Sequence, residues 1–185
     1  MENIGTEFTT ILAILTVLGN MATLMLLLAW LFARPLFGRI MDWVGERALL
    51  IGLFISIAST VGSIIYSEVV GFPACILCWM QRVFMYPQMF LFGLALWRRE
   101  HFITPYLFLL SLIGGAVGLY QWIKDMFLWY GHTTLPCPAV VGLPSCDRLY
   151  VQEFGYVTIP MIALNAFILL MIVTWASVRK YNEKK

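Results

Sequence analysis

Phe72-Pro73-Ala74-Cys75-Ile76-Leu77-Cys78-Trp79-Met80-Gln81-Arg82 opens one of five long apolar stretches in a chain of 185 residues and carries two of its four cysteines. The run sets a Cys-x-x-Cys at the mouth of a hydrophobic helix. There, unsatisfied backbone N–H groups and the helix dipole favour the anionic form of sulfur, the nucleophile of thiol exchange. The segment therefore points to reactive dithiol chemistry at a membrane surface.

Outward from this run the composition is that of an integral membrane protein. The chain is 61% hydrophobic and 12% charged, with a mean hydropathy of +0.85, far from the average of soluble domains. A helix needs about 20 apolar residues to cross a bilayer, and residues 11–33, 48–66, 76–97, 102–123 and 156–178 each supply that length. Only the third stretch holds a charge, Arg82. Five spans place the termini on opposite sides. Arg34, Arg39 and Arg47 follow span one, Arg98 and Arg99 follow span three, and Arg179, Lys180, Lys184 and Lys185 follow span five. The opposite side holds only Lys124 and Arg148, so the positive-inside rule predicts the N-terminus outside and the C-terminus in the cytoplasm. The leader before Ile11 carries Glu2 and Glu7 and no basic residue, which argues against a cleaved signal peptide.

Arg34-Pro35 ends the first span, because proline cannot continue a helix. Leu36, Phe37, Ile40, Met41 and Val44 then recur at helical spacing opposite Arg39, Asp42 and Glu46, which predicts a short amphipathic helix on the cytoplasmic interface. Residues 1–47 thus form an N-terminal span with its interfacial helix, 48–178 a four-span unit, and 179–185 a cytoplasmic tail. The one long polar connection, 124–155, contains Pro136, Pro138, Gly142 and Pro144 and is bracketed by Phe127, Trp129, Tyr130, Tyr150, Phe154 and Tyr156. It reads as an irregular outer loop edged by interfacial aromatics. His101 and His132 read as ordinary interfacial residues.

This topology puts Cys75, Cys78, Cys137 and Cys146 on one oxidising side. The spacing of Cys137 and Cys146 is not that of a zinc finger or ribbon, and Trp79 stands where covalent haem needs histidine. Two structural disulfides remain an alternative, stronger for Cys137–Cys146 than for Cys75–Cys78, whose very short ring contributes little loop entropy. A dithiol relay through the membrane needs cysteines on both faces, and the cytoplasmic face has none. Electrons gathered by these pairs then require an acceptor inside the bilayer, for which a lipid-soluble quinone is the natural choice. Arg82 lies four residues after Cys78, on the same helical face and one turn deeper. A cation there is either a snorkelling residue or a functional one that stabilises the Cys78 thiolate and a partly anionic quinone oxygen.

Cys75-Ile-Leu-Cys78-Trp-Met-Gln-Arg82 with Tyr86-Pro87, the Cys137/Cys146 loop, and Gly155-Tyr-Val-Thr-Ile-Pro160 together resemble the DsbB/BdbC family of disulfide bond formation proteins over residues 48–178. The nine-residue step between the loop cysteines is closer to the BdbC-like branch. The resemblance implies an all-α membrane protein, a DsbB-like four-helix bundle plus one extra N-terminal transmembrane helix, in the bacterial cytoplasmic (inner) membrane. It implies a protein-dithiol:quinone oxidoreductase that reoxidises a DsbA-like thioredoxin-fold oxidase and passes electrons to ubiquinone or menaquinone in the membrane quinone pool; no nucleic-acid partner is implied. Carried over, Cys137 forms the mixed disulfide with the partner and Cys146 resolves it or shuttles. Cys75 exchanges with the loop pair, Cys78 meets the quinone and Arg82 assists. The chain departs from the family in its extra first span and at Tyr120-Gln121, where relatives often have a histidine. A non-enzymatic scaffold with two structural disulfides, or a quinone reductase resembling vitamin K epoxide reductase, are the alternative readings.

Overall fold

Apolar sequence inside a bilayer finds no water to satisfy its backbone, and helices solve that problem within a single segment. The structure, a computed structural model, describes residues 2–132, 135–137 and 141–183, and its long elements are all helical. Pro138 of the expected loop and Lys184 and Lys185 of the tail lie outside the described residues. The elements are α1 (Glu2–Phe32), α2 (Arg34–Glu46), α3 (Ala48–Ile64, continued by a π-helical turn, Ile65–Val69), α4 (Ile76–Arg98), α5 (Thr104–Trp129) and α6 (Ile159–Glu183).

Among the described residues, four segments are long and apolar enough to cross a membrane: Gly5–Phe32, Ala48–Val69, Thr104–Trp129 and Ile159–Glu183. Helix α4 has 23 residues, about 35 Å at ~1.5 Å per residue, so it is long enough as well. It is less apolar because it carries Gln81, Arg82 and Gln88, and it packs against both α3 and α5 with Gln81 and Gln88 buried. Its polarity faces protein. The chain is an all-α, multi-pass membrane protein.

Leu49, Met85, Phe92, Leu107, Phe167 and Leu170 form the central core, while Phe54, Phe90 and Leu109 point outward. Glycines permit close approaches in this core: Gly52 lies under the ring of Phe92 and Gly114 under that of Phe167, where an added Cβ would overlap ring atoms. Small residues at helix crossings let the larger neighbours interlock, which drives association where lipid offers no hydrophobic gain. A buried polar contact ties α4 to α5, with Ser111 Oγ donating to Gln88 Oε1 at 2.9 Å.

The amphipathic α2 packs on the end of α6: Gly45 sits against the Ala176 carbonyl, and Lys180 pairs with Glu46 at 3.3 Å. The helix directions gather Arg47, Arg98, Arg179 and Lys180 at this end, opposite the cysteines. His101 is here too, with Nδ1 2.9 Å from Ser177 Oγ.

One expectation is corrected. Helix α5 continues to Trp129, so the loop expected from residue 124 begins about a turn and a half later, and Lys124 is a buried helical residue. Its ammonium finds partners in the returning loop, so the helix need not end before it.

Gly114→Leu is expected to destabilise the bundle by about 1–3 kcal/mol through overpacking, read as a lower unfolding temperature in detergent. Gly93→Ala, whose Cβ would meet nothing closer than Leu53 Cδ1 at 3.8 Å, should leave that temperature unchanged or raise it.

Candidate active site at the cysteine end of the bundle

Cys75 is the N-cap of α4 in an extended conformation (φ −74°, ψ 173°). The chain reaches it from the π-helical turn through Gly71, whose φ of +80° lies in the left-handed region that glycine enters without steric penalty. Cys78 follows one turn into the helix. Its Sγ lies 3.3 Å from that of Cys75, and the two are a free dithiol. Gln121 of α5 faces both sulfurs: its Nε2 donates to Cys78 Sγ at 3.4 Å and to Cys75 Sγ at 3.5 Å. Gln81 Nε2 donates to Gln121 Oε1 at 2.8 Å, which holds the Gln121 donor end toward sulfur. Both amides are buried.

The loop pair is joined, with a Cys137–Cys146 disulfide and Cα atoms 6.3 Å apart. Helix α5 holds both of its arms. The Tyr120 hydroxyl donates to the Pro136 carbonyl beside Cys137. Lys124 Nζ donates to the Cys146 carbonyl at 3.0 Å and forms an ion pair with Asp147. Lys124 is 0% exposed; a buried ammonium is tolerable only when its charge and protons are met. The Lys124 ammonium, and then the Ser145 hydroxyl, hold the Asp147 carboxyl below its ordinary value. These anchors bring all four cysteines together. Cys75, Leu77 and Cys146 are buried in one cluster against which Cys78, Cys137, Val117 and Tyr120 pack.

A cavity of about 340 Å³ runs from Cys75, Cys78 and Cys146 along the helices, past Gln121 and Arg82 to Asn165. Arg82 lines it, but its guanidinium is tied to α3 rather than to Cys78. Nε donates to Ser63 Oγ and a terminal nitrogen to the Ser63 carbonyl, both at 3.0 Å, and the group lies 5.1 Å over the Trp79 ring. Ser63 presents a hydroxyl and a carbonyl together, a better match to the guanidinium fork than one sulfur. Asn165 also lines the wall, and its Oδ1 is buried without a hydrogen-bond partner.

Sequence reasoning missed the roles of Gln81, Gln121, Lys124 and Asn165 in this geometry. The available signal was a polar side chain inside or at the end of an apolar span, which almost always faces protein. Which sulfur, loop or helix each would meet is a tertiary fact.

The model for the family "Disulfide bond formation protein DsbB" matches residues 45–177. The chain is 32% identical over 134 residues to the probable disulfide formation protein C of Bacillus cereus, covering 72% of this chain and 94% of that protein. It is 31% identical over 118 residues to the disulfide bond formation protein C of Bacillus subtilis, covering 64% and 83%, and 32% identical over 135 residues to the probable disulfide formation protein C of Halalkalibacterium halodurans, covering 73% and 96%. No solved structure matches. With a family match over most of its length and two cysteine pairs gathered at one end of a helical bundle, the chain belongs to the DsbB family of membrane proteins that form disulfide bonds.

Proposed function

We propose that this protein is a dithiol:quinone oxidoreductase that takes electrons from a reduced thioredoxin-fold oxidase and delivers them to a membrane quinone. The observation that carries this reading is the packing of both cysteine pairs in one cluster at the head of a largely apolar cavity that the half-buried Arg82 also lines. In the bacterial cytoplasmic membrane the cysteine end faces outward and the basic end inward, as the positive-inside rule requires.

Exchange begins when a partner thiolate attacks Cys137, which is more exposed than Cys146. The Cys137–Cys146 bond breaks and Cys146 leaves as a thiolate. The partner's second thiolate then releases Cys137, so the partner ends oxidised and the loop pair reduced. Cys146, held against Cys75, attacks it in the oxidised inner pair and displaces Cys78. Cys137 resolves that bond, which restores the loop disulfide and leaves Cys75 and Cys78 as a dithiol. Gln121 donates to whichever inner sulfur is anionic, and Gln81 fixes its orientation. Closing the Cys75–Cys78 disulfide releases two electrons and two protons, for which a quinone held by Arg82 and the cavity walls would supply the two-electron, two-proton acceptor. The cavity suits such a group: its volume lies at the lower end of ligand pockets (about 300–1,000 Å³), most of its walls are apolar, and Arg82 and Asn165 line it. Arg82 would hold a quinone oxygen by charge and N–H donation.

Cys146→Ala should trap a mixed disulfide between Cys137 and an oxidised thioredoxin-fold partner added outside intact spheroplasts, seen on non-reducing gels. Trapping only through Cys75, or only after lysis, would contradict the cysteine roles or the orientation.

Arg82→Ala is expected to slow quinone reduction at least tenfold, about 1.4 kcal/mol of transition-state stabilisation, and to raise the quinone KM. Arg82→Lys should keep part of the rate, since the charge survives but the fork does not. Single-turnover oxidation of the dithiol partner should not change. A rate within about twofold of wild type would remove Arg82 from the acceptor site.

The Lys124–Asp147 latch predicts a pH dependence. Because the folded Asp147 carboxyl titrates below its unfolded value of about 3.9, the latch is complete above that value and is lost as pH falls through the lower folded one. Asp147→Asn should slow exchange between the pairs by up to about fivefold, near 1 kcal/mol for a half-exposed partner. The deficit relative to wild type should persist from pH 8 down to about 4 and shrink only at the lower pH where the folded Asp147 carboxyl itself takes up a proton. Lys124→Met should slow it more; an unchanged exchange in that variant would sink the latch.

A further inference from the structure

Helix α1 lies outside the family-matched residues 45–177, yet it is docked on the bundle rather than loose in lipid. Thr9, Ala13 and Thr16, spaced to share one face, are buried, while Ile11, Ile14, Leu15 and Leu18 are exposed. The Tyr66 hydroxyl donates to Thr9 Oγ1 at 3.4 Å, and Phe8 meets the Tyr66 ring edge-on at 5.3 Å. At Gly19 the α1 backbone lies directly on the amide of Asn165, where an added Cβ would overlap that amide. Leu12, Leu15 and Thr16 of α1 line the same cavity as Cys78, Arg82 and Asn165.

Asn165 is 5% exposed, and its Oδ1 has no hydrogen-bond partner. A buried amide oxygen left unpaired is costly and rare in folded proteins; this one is covered by the α1 backbone at Gly19, and because Asn165 lines the cavity a small turn of its side chain would offer the amide to a ligand there. A carboxamide offers an N–H to a quinone carbonyl and an oxygen to a quinol hydroxyl, which suits both redox forms of one acceptor.

We propose that α1 is a wall of the electron-acceptor pocket, closing it against the bilayer, and that Asn165, beneath Gly19, is the hydrogen-bonding group for the quinone head. The inference rests on the quinone reading above and extends it to a helix and a side chain outside the cysteine motif. Arg82 and Asn165 then approach the head from α4 and α6, and Leu12 and Thr16 face it from α1. The exposed Leu15 marks the rim through which an isoprenoid tail leaves to lipid.

The test is calorimetric titration of the full chain in detergent with decylubiquinone and with a short-tailed menaquinone analogue, which also decides between the two head groups. Asn165→Leu removes an amide whose oxygen has no partner and should fold normally. It is expected to raise the Kd of the preferred analogue about tenfold, or 1.4 kcal/mol. Leu12→Trp fills the cavity from α1 and should weaken binding by at least as much. Leu18→Trp, on the lipid-facing side of the same helix, should bind as wild type does, and single-turnover exchange with the dithiol partner should be unchanged in all three. If wild type binds and Asn165→Leu and Leu12→Trp bind equally well, α1 merely packs and this inference fails while the quinone reading stands. Equal weakening in all three variants also overturns it, because the effect is then general disruption. If wild type binds neither analogue, the quinone reading falls and this inference with it.

Discussion

A fully buried ammonium organises the cysteine end of this protein. Removing Lys124 from water costs several kcal/mol unless its charge and protons are satisfied, and its partners, the Cys146 carbonyl and the Asp147 carboxylate, belong to one stretch of the returning loop. The loop is thereby drawn onto α5, and Cys146 onto Cys75. Tyr120, one turn earlier on α5, grips the other arm through Pro136. Gln121, next to Tyr120, reaches across to the inner dithiol. One turn of one helix thus holds both redox pairs in register, so exchange between them needs no large movement of the loop.

The polar groups inside the bundle are arranged by depth. Nearest the sulfurs are neutral amides, Gln121 backed by Gln81, which donate to an anion without adding a fixed charge. The cation, Arg82, is deeper and anchored to Ser63 of α3. Further along the wall is the Asn165 amide. Lipid can satisfy none of these groups, so all face protein or cavity, and the same constraint that keeps the outer surface apolar concentrates hydrogen-bonding capacity along one internal path.

The two N-terminal helices show how a bundle can be extended without rebuilding it. Helix α2 is held by Gly45 against α6 and by the Glu46–Lys180 pair, contacts that stiffen the end remote from the chemistry. Helix α1 lies along α6, with Gly19 on Asn165, and near the cysteine end its Thr9 accepts from Tyr66 of the π-helical turn. A face of small residues suits a helix that must lie close to its neighbours while its bulky residues face lipid.

Much of this architecture was legible in the sequence because it rests on strong, local physics. Uninterrupted apolar runs in lipid have to be helices, proline ended the first at Arg34-Pro35, the period of Leu36 to Val44 marked α2, and the cysteine spacing with Arg82 carried the family resemblance. The limits of α5 were not legible. Lys124 looks like a loop charge until its partners are seen, and they lie 22 and 23 residues away. For the same reason the sequence showed a polar residue at Gln81, Gln121 and Asn165 but not what each touches. It placed Arg82 one turn below Cys78, and only the packing of α3 against α4 tied its guanidinium to Ser63. Periodicity and hydropathy act along the chain and determine elements; the pairing of a buried charge or amide is a contest among groups brought together from distant segments, and tertiary structure alone decides it.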